Sequence, residues 1–268
     1  MPKPQRIVSL VPSTTETLFS LGASGRVVGV TRFCVHPREA RERARVVGGT
    51  KNPRIETILS LEPDLVLANQ EENRKEDVER LRERVPVHVF FPRDVEGAIA
   101  DIRSLGQLLG EPNAGIVLAE EIERERARLR APRADAWRPA RYLYLIWRRP
   151  YMVAGPATFI EALLAECGLV NAAPRDGGRY PEMRIEEIAR SGADVLLLGS
   201  EPFPFDEKHR AELTSELGAS AQAILADGEL LSWHGARLRQ GLPYLRSLAE
   251  RISTSKSPSA RPFPGPSP

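Results

Sequence analysis

The sequence predicts an α/β protein built from two similar lobes that are joined by a long helix. Short apolar runs alternate with helical patterns in both halves of the chain, which is typical of parallel strands covered by helices. Two long helical patterns with no strand between them, at 94–110 and 111–132, separate the halves. The segments "IETILSLEPDLVLA" and "IEEIARSGADVLLLG", one in each half, share the order short helix, tight turn, Asp and apolar strand. The two lobes are therefore expected to be related in structure.

The first half carries four predicted strands and three predicted helices. Ser13, Glu16 and Gly22 give the first helix the signals of a capped start and a stop. Pro112 and Pro132 bound the second long helix, whose roughly 20 residues would span about 30 Å, the width of a small domain. The predicted strands are RIVSL (6–10), VVGV (27–30), DLVLA (64–68) and VHVFF (87–91), and the helices cover 13–22, 55–63 and 75–85.

The second half repeats the alternation and ends in a segment of different composition. Strands are predicted at ARYLYLIW (140–147) and DVLLLG (194–199), with helices at 157–168, 185–192, 207–217 and 241–252. The closing residues are rich in Ser and Pro and hold too little apolar surface to order themselves. The predicted units are an N-terminal α/β lobe (1–110), an interlobe backbone helix (111–132), a C-terminal α/β lobe (133–253) and a disordered tail (254–268).

Composition excludes several classes of protein. The 268 residues are 41% hydrophobic and 28% charged, as in a globular protein, and no apolar run approaches the length of a membrane-spanning helix. The net charge of +2 does not indicate a nucleic-acid surface. The two cysteines, Cys34 and Cys167, are too few for a disulfide framework or a structural zinc cluster. A small-molecule ligand in a cleft between the lobes is the remaining expectation.

The residues that directly follow the strands are the candidate binding residues, because ligands of parallel sheets bind beyond the carboxyl ends of the strands. Only 6% of the chain is aromatic, yet many rings fall in this set, which predicts a broad flat ligand. The candidates are Pro12, Ser13, Arg32, Phe33, Cys34, His36 and Asn69 from the first lobe, and Trp147, Arg148, Tyr151, Glu201, Phe203, Trp233 and His234 from the second.

Five segments carry a resemblance to a known family: "RIVSLVPSTTETLFSLGASGRVVGVTRF", "IETILSLEPDLVLA", "YMVAGPATFIEALLAECGLVNAA", "RYPEMRIEEIARSGADVLLLG" and "WHGARL". In this order they resemble the substrate-binding proteins of cobalamin, haem and ferric-siderophore ABC importers, and most of all the cobalamin-binding member. The resemblance covers about residues 6–252. It implies a bilobal protein with a rigid backbone helix, little hinge motion and a corrinoid or metal chelate in the cleft.

The same resemblance implies a partner and a location. Acidic residues on top of each lobe dock onto arginines of the permease in this family, and the resemblance implies this role here for Glu71 or Glu72 in the first lobe and for Glu201 in the second. Members of the family are periplasmic or anchored by a lipid. The N-terminus MPKPQRIVSL shows neither a signal peptide nor a lipid-accepting Cys, so the chain as given is expected in the cytoplasm. We also expect a monomer.

The stretch RFCVHP leaves several kinds of chemistry open. Cys34 and His36 can be a nucleophile and its base, although no third group that would complete a catalytic constellation is evident. Cys34, His36 and His234 can instead bind a transition metal, together with Glu201 or His209. A third reading makes His36 or His234 an axial ligand to the metal of a bound macrocycle.

The prediction from these residues is a non-catalytic binding protein for a cobalamin-like corrinoid or a related metal chelate, delivered to an ABC transporter. No fixed cofactor is expected. The alternatives are a cytosolic transition-metal-binding protein that uses Cys, His and Glu side chains, a haem or siderophore carrier, and an enzyme of corrinoid salvage. The sequence does not favour the enzyme, because no catalytic constellation can be assembled from its loops.

Overall fold

Two β-sheets, each flanked by helices, form the protein in the computed structural model, which describes residues 3–131, 139–218 and 221–254. The predicted α/β class is confirmed. The first sheet has the strand order β3-β2-β1-β4-β5 and is parallel throughout. Its strands are β1 (Ile7–Ser9), β2 (Val27–Val30), β3 (Arg45–Val46), β4 (Leu65–Asn69) and β5 (Val87–Phe90), and its helices are α1 (Pro12–Ser20), α2 (Glu39–Arg43), α3 (Ile55–Leu59) and α4 (Lys75–Arg82).

Two long helices, α5 (Val95–Leu108) and α6 (Pro112–Arg130), follow the first sheet. The carboxylate of Asp94 begins α5 by accepting a hydrogen bond from the backbone N–H of Gly97 at 2.7 Å. Pro112 begins α6, where its missing N–H costs nothing. The division of the chain at 1–110, 111–132 and 133–253 stays a prediction, and the predicted tail lies outside the described residues except for Thr254, which ends the last helix.

The second sheet has the strand order β11-β10-β6-β7-β9, with β8 paired to β6. The prediction that the second lobe mirrors the first is wrong in one respect, since β7 and β9 run antiparallel to their neighbours. Its strands are β6 (Arg141–Trp147), β7 (Tyr151–Val153), β8 (Val170–Asn171), β9 (Glu182–Met183), β10 (Val195–Gly199) and β11 (Gln222–Ala226). Its helices are α7 (Phe159–Ala165), α8 (Ile185–Arg190), α9 (Glu207–Leu217), α10 (Gly228–Ser232) and α11 (Leu238–Thr254).

One apolar cluster is continuous through both lobes. It contains Ile7 and Leu67 of the first sheet, Ile102 of α5, and Tyr142 and Leu197 of the second sheet. Separate clusters cover the other face of each sheet. The fully buried central strands β4 and β10 explain why their sequences are unbroken apolar runs, because a parallel strand covered on both faces has no solvent side.

Helices α5 and α6 cross at two glycines. A Cβ atom placed on Gly106 would lie 2.8 Å from the Cα of Gly115 and 3.0 Å from the backbone oxygen of Glu111. These distances are shorter than a carbon atom allows, and backbone cannot move aside as a side-chain tip can. The two backbones therefore approach each other closely because neither residue has a side chain.

We expect Gly106→Ala to lower the free energy of unfolding by about 1–2 kcal/mol, because the added methyl group forces the two helices apart. Urea unfolding checks this. Gly25→Ala is the matched control, since a Cβ on Gly25 would meet nothing within 4 Å. Equal stability of the two variants would contradict the close helix contact.

Candidate functional site

Loops that follow parallel strands of the two sheets contact each other between the lobes, as between His36 after β2 and Glu229 after β11. The segment 233–237 of the second lobe reaches the N-terminal helix of the first, where the backbone N–H of Ala236 donates to Thr17 Oγ1 at 3.0 Å. Gly235 makes this approach possible with a φ of +78°. A Cβ on Gly235 would lie 2.2 Å from the same hydroxyl oxygen, so only glycine fits between the lobes here.

His234 forms the central contact between the lobes. Its Nε2 lies 3.3 Å from Asn69 Nδ2 and 3.4 Å from Ser13 Oγ. The amide nitrogen of Asn69 can only donate, so Nε2 accepts and the ring proton is on Nδ1. Asn69 is held in place because its Oδ1 accepts from the backbone N–H of Glu71 at 2.7 Å and its own N–H donates to Asn73 Oδ1 at 2.9 Å. The ends of β1 and β4 are thereby tied to the second lobe.

We expect His234 to make the protein sensitive to mild acid. Burial lowers its pKa from 6.5 to about 4, because the charged imidazolium is disfavoured away from water. The unfolded chain therefore takes up a proton at a higher pH than the folded protein, and stability that is present above pH 6.5 is lost as the pH falls toward 4. By urea unfolding, the wild type should lose about 2 kcal/mol more than His234→Gln between about pH 7 and pH 5. Equal losses would show that the neutral ring is not what the fold requires.

An ion-pair network lies on the β2 side of His234; we call it the Arg237 network and define it as Glu16, His36, Glu229 and Arg237. Arg237 Nε donates to Glu16 Oε2 at 2.8 Å, and its Nη2 lies 3.8 Å from Glu229 Oε2. His36 Nε2 lies 2.9 Å from the same oxygen of Glu229. Burial raises the pKa of Glu16, and Arg237 is the main group that opposes this rise. Two residues of each lobe make up the network.

Trp233 packs beside this network rather than lining an open cleft. It is only 8% exposed. Its indole N–H donates to Glu201 Oε2 at 2.9 Å, and the guanidinium carbon of Arg237 lies 5.1 Å from the ring centroid. The His36 ring meets it edge to face at 5.8 Å. Burial raises the pKa of Glu201, while the Trp233 hydrogen bond lowers it. The predicted ligand-stacking role of Trp233 is therefore wrong, because its ring is already covered by the protein.

A second network lies on the β4 side; we call it the Arg179 network and define it as Glu71, Arg179 and Tyr180. Arg179 Nη1 lies 2.8 Å from Glu71 Oε1, and the Tyr180 hydroxyl donates to that same oxygen at 2.9 Å. Burial of the phenol and the negative charge of Glu71 raise the pKa of Tyr180. Arg179 also lies over the ring of Phe91, 5.2 Å from its centroid. The network thus joins the loop after β4 to the loop before β9.

The strand orders place these two networks on opposite sides of the cleft. In the first sheet β2 and β4 flank β1 on either side, and in the second sheet β11 and β9 are the two edges of the main path. The Arg237 network joins the β2 side to the β11 side, and the Arg179 network joins the β4 side to the β9 side. With His234 between them, three contacts hold the lobes together along the length of the cleft.

Three exposed aromatic side chains lie near the cleft: Phe33 follows β2, Trp147 ends β6, and the Tyr180 hydroxyl bonds Glu71 of the other lobe. Phe33 of the first lobe is 47% exposed, while Trp147 and Tyr180 of the second are 41% and 38% exposed. Phe203 packs edge to face against Trp147, with the two ring centroids 5.7 Å apart. The guanidinium carbon of Arg32 lies 4.9 Å from the Phe33 ring centroid. Large exposed rings on well-packed supports are suited to stacking against a flat ligand.

Several predicted binding residues are not open to a ligand. Ser13 and Asn69 are buried in the contact with His234, and Pro12 is the half-buried first residue of α1. The guanidinium of Arg148 is paired with Glu212 of α9 in its own lobe. Tyr151 and Phe203 are half-buried and pack against the core of the second lobe. Many side chains of the predicted binding loops therefore hold the structure together.

The prediction that Cys34 lines the cleft is wrong. Its side chain is fully buried and its sulfur lies 3.1 Å from Thr15 Oγ1 and 3.2 Å from Thr31 Oγ1. Burial raises the pKa of the thiol, so the thiolate that a nucleophile or a metal ligand needs is disfavoured. The loop after β2 turns inward at this residue, which places the thiol against α1 and leaves His36 outside. The pairing of Cys34 with His36 as nucleophile and base is therefore excluded.

The predicted metal set of Cys34, His36 and His234 is also wrong. The three side chains have separate partners: the threonines around the thiol, Glu229 at His36, and Ser13 with Asn69 at His234. Within residues 3–131, 139–218 and 221–254, no three His, Cys, Asp or Glu side chains converge in a way that could hold a metal ion. His209, the other candidate, accepts from the backbone N–H of Asp206 at 3.2 Å and caps α9.

Sequence reasoning missed Arg179, Tyr180, Glu229 and Arg237. Arg179 and Tyr180 precede β9, a strand of two residues that gives no periodic signal. Arg237 stands in "WHGARL", and its neighbour Gly235 was the available sign that the backbone makes a close approach there. Both networks depend on contacts between distant parts of the chain, and a local sequence pattern does not predict such contacts.

Comparison with known proteins identifies the family. The sequence profile described as "Periplasmic binding protein" matches residues 7–230. The chain belongs to this family. A cobalamin-binding protein of Halobacterium salinarum is 32% identical over 261 residues, which cover 94% of this chain and 69% of that protein. The resemblance read from the five sequence segments is thereby confirmed, and family membership argues for binding without catalysis.

Solved structures of the periplasmic binding protein family share the fold. The vitamin B12-binding protein BtuF of Vibrio cholerae superposes with a TM-score of 0.80 at 21% identity, covering 93% of this chain and 98% of its own. The haem-binding protein RhuT from Roseiflexus sp. RS-1 gives a TM-score of 0.77 at 27% identity, covering 93% and 99%. None of the described helices of this chain is long and apolar enough to cross a membrane.

Proposed function

We propose that this chain binds a cobalamin-like corrinoid in the interlobe cleft and passes it to an ABC permease. The observation that carries the proposal is the set of exposed rings Phe33, Trp147 and Tyr180, which come from both lobes. Phe33 follows β2 and Trp147 ends β6, while the Tyr180 hydroxyl bonds Glu71 of the other lobe. A corrinoid offers the broad flat face that such rings contact. The cobalamin-binding relative of Halobacterium salinarum, similar over 94% of this chain, supports the corrinoid as the first candidate.

Haem is the second candidate, and a specific observation favours it. The haem-binding RhuT shares more sequence with this chain than does BtuF, at 27% against 21% identity, with similar superposition. A haem also offers a broad flat face, so the exposed rings do not discriminate between the two ligands. A ferric siderophore is a third possibility within the same fold, whereas a bare transition metal lacks a ligand set among the described residues.

Calorimetric titration of the purified protein with cyanocobalamin, haem and zinc under one buffer condition tests the proposal. We expect one-to-one binding of one tetrapyrrole and no binding of zinc. Binding of haem but not of cyanocobalamin would identify haem, rather than a corrinoid, as the ligand. Zinc binding without binding of either tetrapyrrole would contradict the proposal as a whole.

Delivery to a permease is the second half of the proposal, with Glu71 and Glu201 as docking residues. In the free protein both carboxylates are bonded internally, Glu71 to Arg179 and Glu201 to Trp233. Docking onto permease arginines would require each to exchange its partner. Binding of the loaded protein to its reconstituted permease should weaken in Glu201→Gln, and unchanged binding would remove Glu201 from the docking set.

The protein's state and location complete the proposal. We expect a monomer, with a mass near 29.7 kDa in light scattering. The cytoplasmic location expected from the sequence competes with the periplasmic one that is usual in the family. Fractionation of cells that express the native gene separates the two, and delivery through an importer requires the protein outside the cytoplasmic membrane.

A further inference from the structure

The guanidinium of Arg179 has an incomplete set of hydrogen bonds. Its Nη1 contacts one oxygen of Glu71 at 2.8 Å, yet within the described part of the chain its buried Nε and Nη2 have no hydrogen-bond partner. A guanidinium presents a planar fork of donors that matches both oxygens of a carboxylate or phosphate. Glu71 contacts only one of these donors, the Nη1 of Arg179. Buried donors left without acceptors are rare in folded proteins and often mark a functional position.

The surroundings of Glu71 Oε1 have the form of an anion site. Arg179 Nη1 and the Tyr180 hydroxyl, from the second lobe, converge on this single oxygen at 2.8 and 2.9 Å. The ammonium group of Lys51, from the first lobe, donates to the backbone oxygen of Glu71. One cationic side chain and one hydroxyl thus converge on a carboxylate that belongs to the protein itself, and a second cation is bonded to the backbone oxygen of the same residue.

Glu71 can leave this position without disrupting its loop. Its backbone N–H is fixed to Asn69 Oδ1 at 2.7 Å, and its backbone oxygen is fixed by Lys51. Rotation of the side chain alone therefore frees Arg179 and the Tyr180 hydroxyl. Tyr180 is at the same time one of the three exposed rings of the proposed binding surface. A flat ligand that lies against Tyr180 brings its edge to the donors that Glu71 occupies.

We propose that Glu71 stands in for an anionic group of the ligand, and that a carboxylate or phosphate on the edge of a flat metal chelate replaces Glu71 on Arg179 and Tyr180. This inference rests on the proposed function and adds a selection rule to it. Chelates with an anionic edge are preferred because they satisfy both arms of the Arg179 fork, whereas neutral ones leave Glu71 in place. Glu71 then acts as an internal competitor that any weakly matched ligand has to displace.

Two matched pairs of ligands test this rule. Haem and its dimethyl ester differ in the charge of the edge carboxylates, and cobinamide phosphate and cobinamide differ in one phosphate. Dissociation constants of all four are measured for the wild type, Glu71→Gln, Arg179→Met and the control Glu56→Gln. Glu56 pairs with Arg80 on the exposed surface of the first lobe and takes no part in either network. The quantity compared is the ratio of affinities within each pair.

For the pair whose macrocycle binds, we expect the wild type and Glu56→Gln to prefer the anionic member by about tenfold. The ratio should rise further, by about threefold or more, in Glu71→Gln, because the competitor loses its charge. It should fall to near one in Arg179→Met, whose binding of the neutral member also shows that this variant is folded. A ratio that is the same in all four proteins would overturn the inference while leaving the proposed function intact. Failure of the wild type to bind any of the four ligands would overturn both.

Discussion

Replacing Arg237 with alanine should lower the free energy of unfolding by about 3–5 kcal/mol, the cost of breaking a buried ion pair by removing one partner. The Arg237 and Glu16 side chains are only 8% and 14% exposed, so the carboxylate left behind cannot regain water without moving apart the elements that bury it. The indole of Trp233 also loses the guanidinium that lies over it. The effect therefore combines an unpaired charge with lost packing at the junction of the lobes.

The pH dependence of this loss follows from Glu16. Burial raises its pKa and Arg237 opposes that rise, so removal of Arg237 moves the pKa further upward. At neutral pH the variant carries a buried carboxylate without its partner, and as the pH falls through the raised pKa the carboxyl becomes neutral and the deficit shrinks. Urea unfolding at about pH 7 and pH 5 measures both quantities.

Arg246→Ala is the control, because its pair with Glu250 is exposed and should contribute less than about 1 kcal/mol. The double variant Glu16→Gln, Arg237→Ala should recover part of the stability, since no charge is then left buried. If Arg237→Ala cost no more than Arg246→Ala, the Arg237 network would not hold the lobes together.

Replacing Trp147 with alanine should weaken tetrapyrrole binding by about 2–3 kcal/mol, which is roughly 30- to 150-fold in Kd. The ring is 41% exposed in the free protein and is supported by Phe203, so it offers a large rigid face with little left to order on binding. Trp147→Phe should retain most of the affinity, because a smaller ring still stacks.

Ile116→Ala is the matched control for Trp147→Ala. Ile116 is a large apolar residue that is 44% exposed, but it lies on α6 and not at the carboxyl edge of either sheet. Fluorescence or calorimetric titration with the bound tetrapyrrole gives the three dissociation constants. Equal values for the Trp147→Ala and Ile116→Ala proteins would place the ligand away from the exposed rings.

Much of the fold followed from periodicity and apolar runs. The strands at Ile7–Ser9, Val27–Val30, Val87–Phe90, Arg141–Trp147 and Val195–Gly199 fall within predicted segments, and Leu65–Asn69 extends one residue beyond the segment predicted at 64–68. Most of the strands that were missed are short, such as β3, β8 and β9 with two residues each, although the five-residue β11 was missed as well. Such strands exist because a neighbouring strand accepts their hydrogen bonds, and this depends on tertiary structure rather than on local sequence.

The site was predicted at the level of loops and not of side chains. The rule of carboxyl ends selected the loops that hold Phe33, His36 and Trp147, because strand direction is a property of the fold, and the role of these loops in ligand binding stays a prediction. The rule does not predict that the side chain of Cys34 points inward while that of His36 points outward. Side-chain directions do not alternate regularly in a loop without regular dihedral angles. The roles of Arg179 and Arg237 depend on the contact between the two lobes, because each arginine pairs with a carboxylate on the other side of the cleft. Local sequence does not predict such pairs.

The apolar cluster that runs from the first sheet through α5 into the second sheet bears on how the protein unfolds. Neither half of the chain keeps a complete interior once the other is removed, because Ile102 and its neighbours pack with residues of both sheets. The two lobes are thus distinct in shape, but they are expected to unfold as one cooperative unit. Heating should melt them in one calorimetric transition, and neither half is expected to be stable when expressed alone.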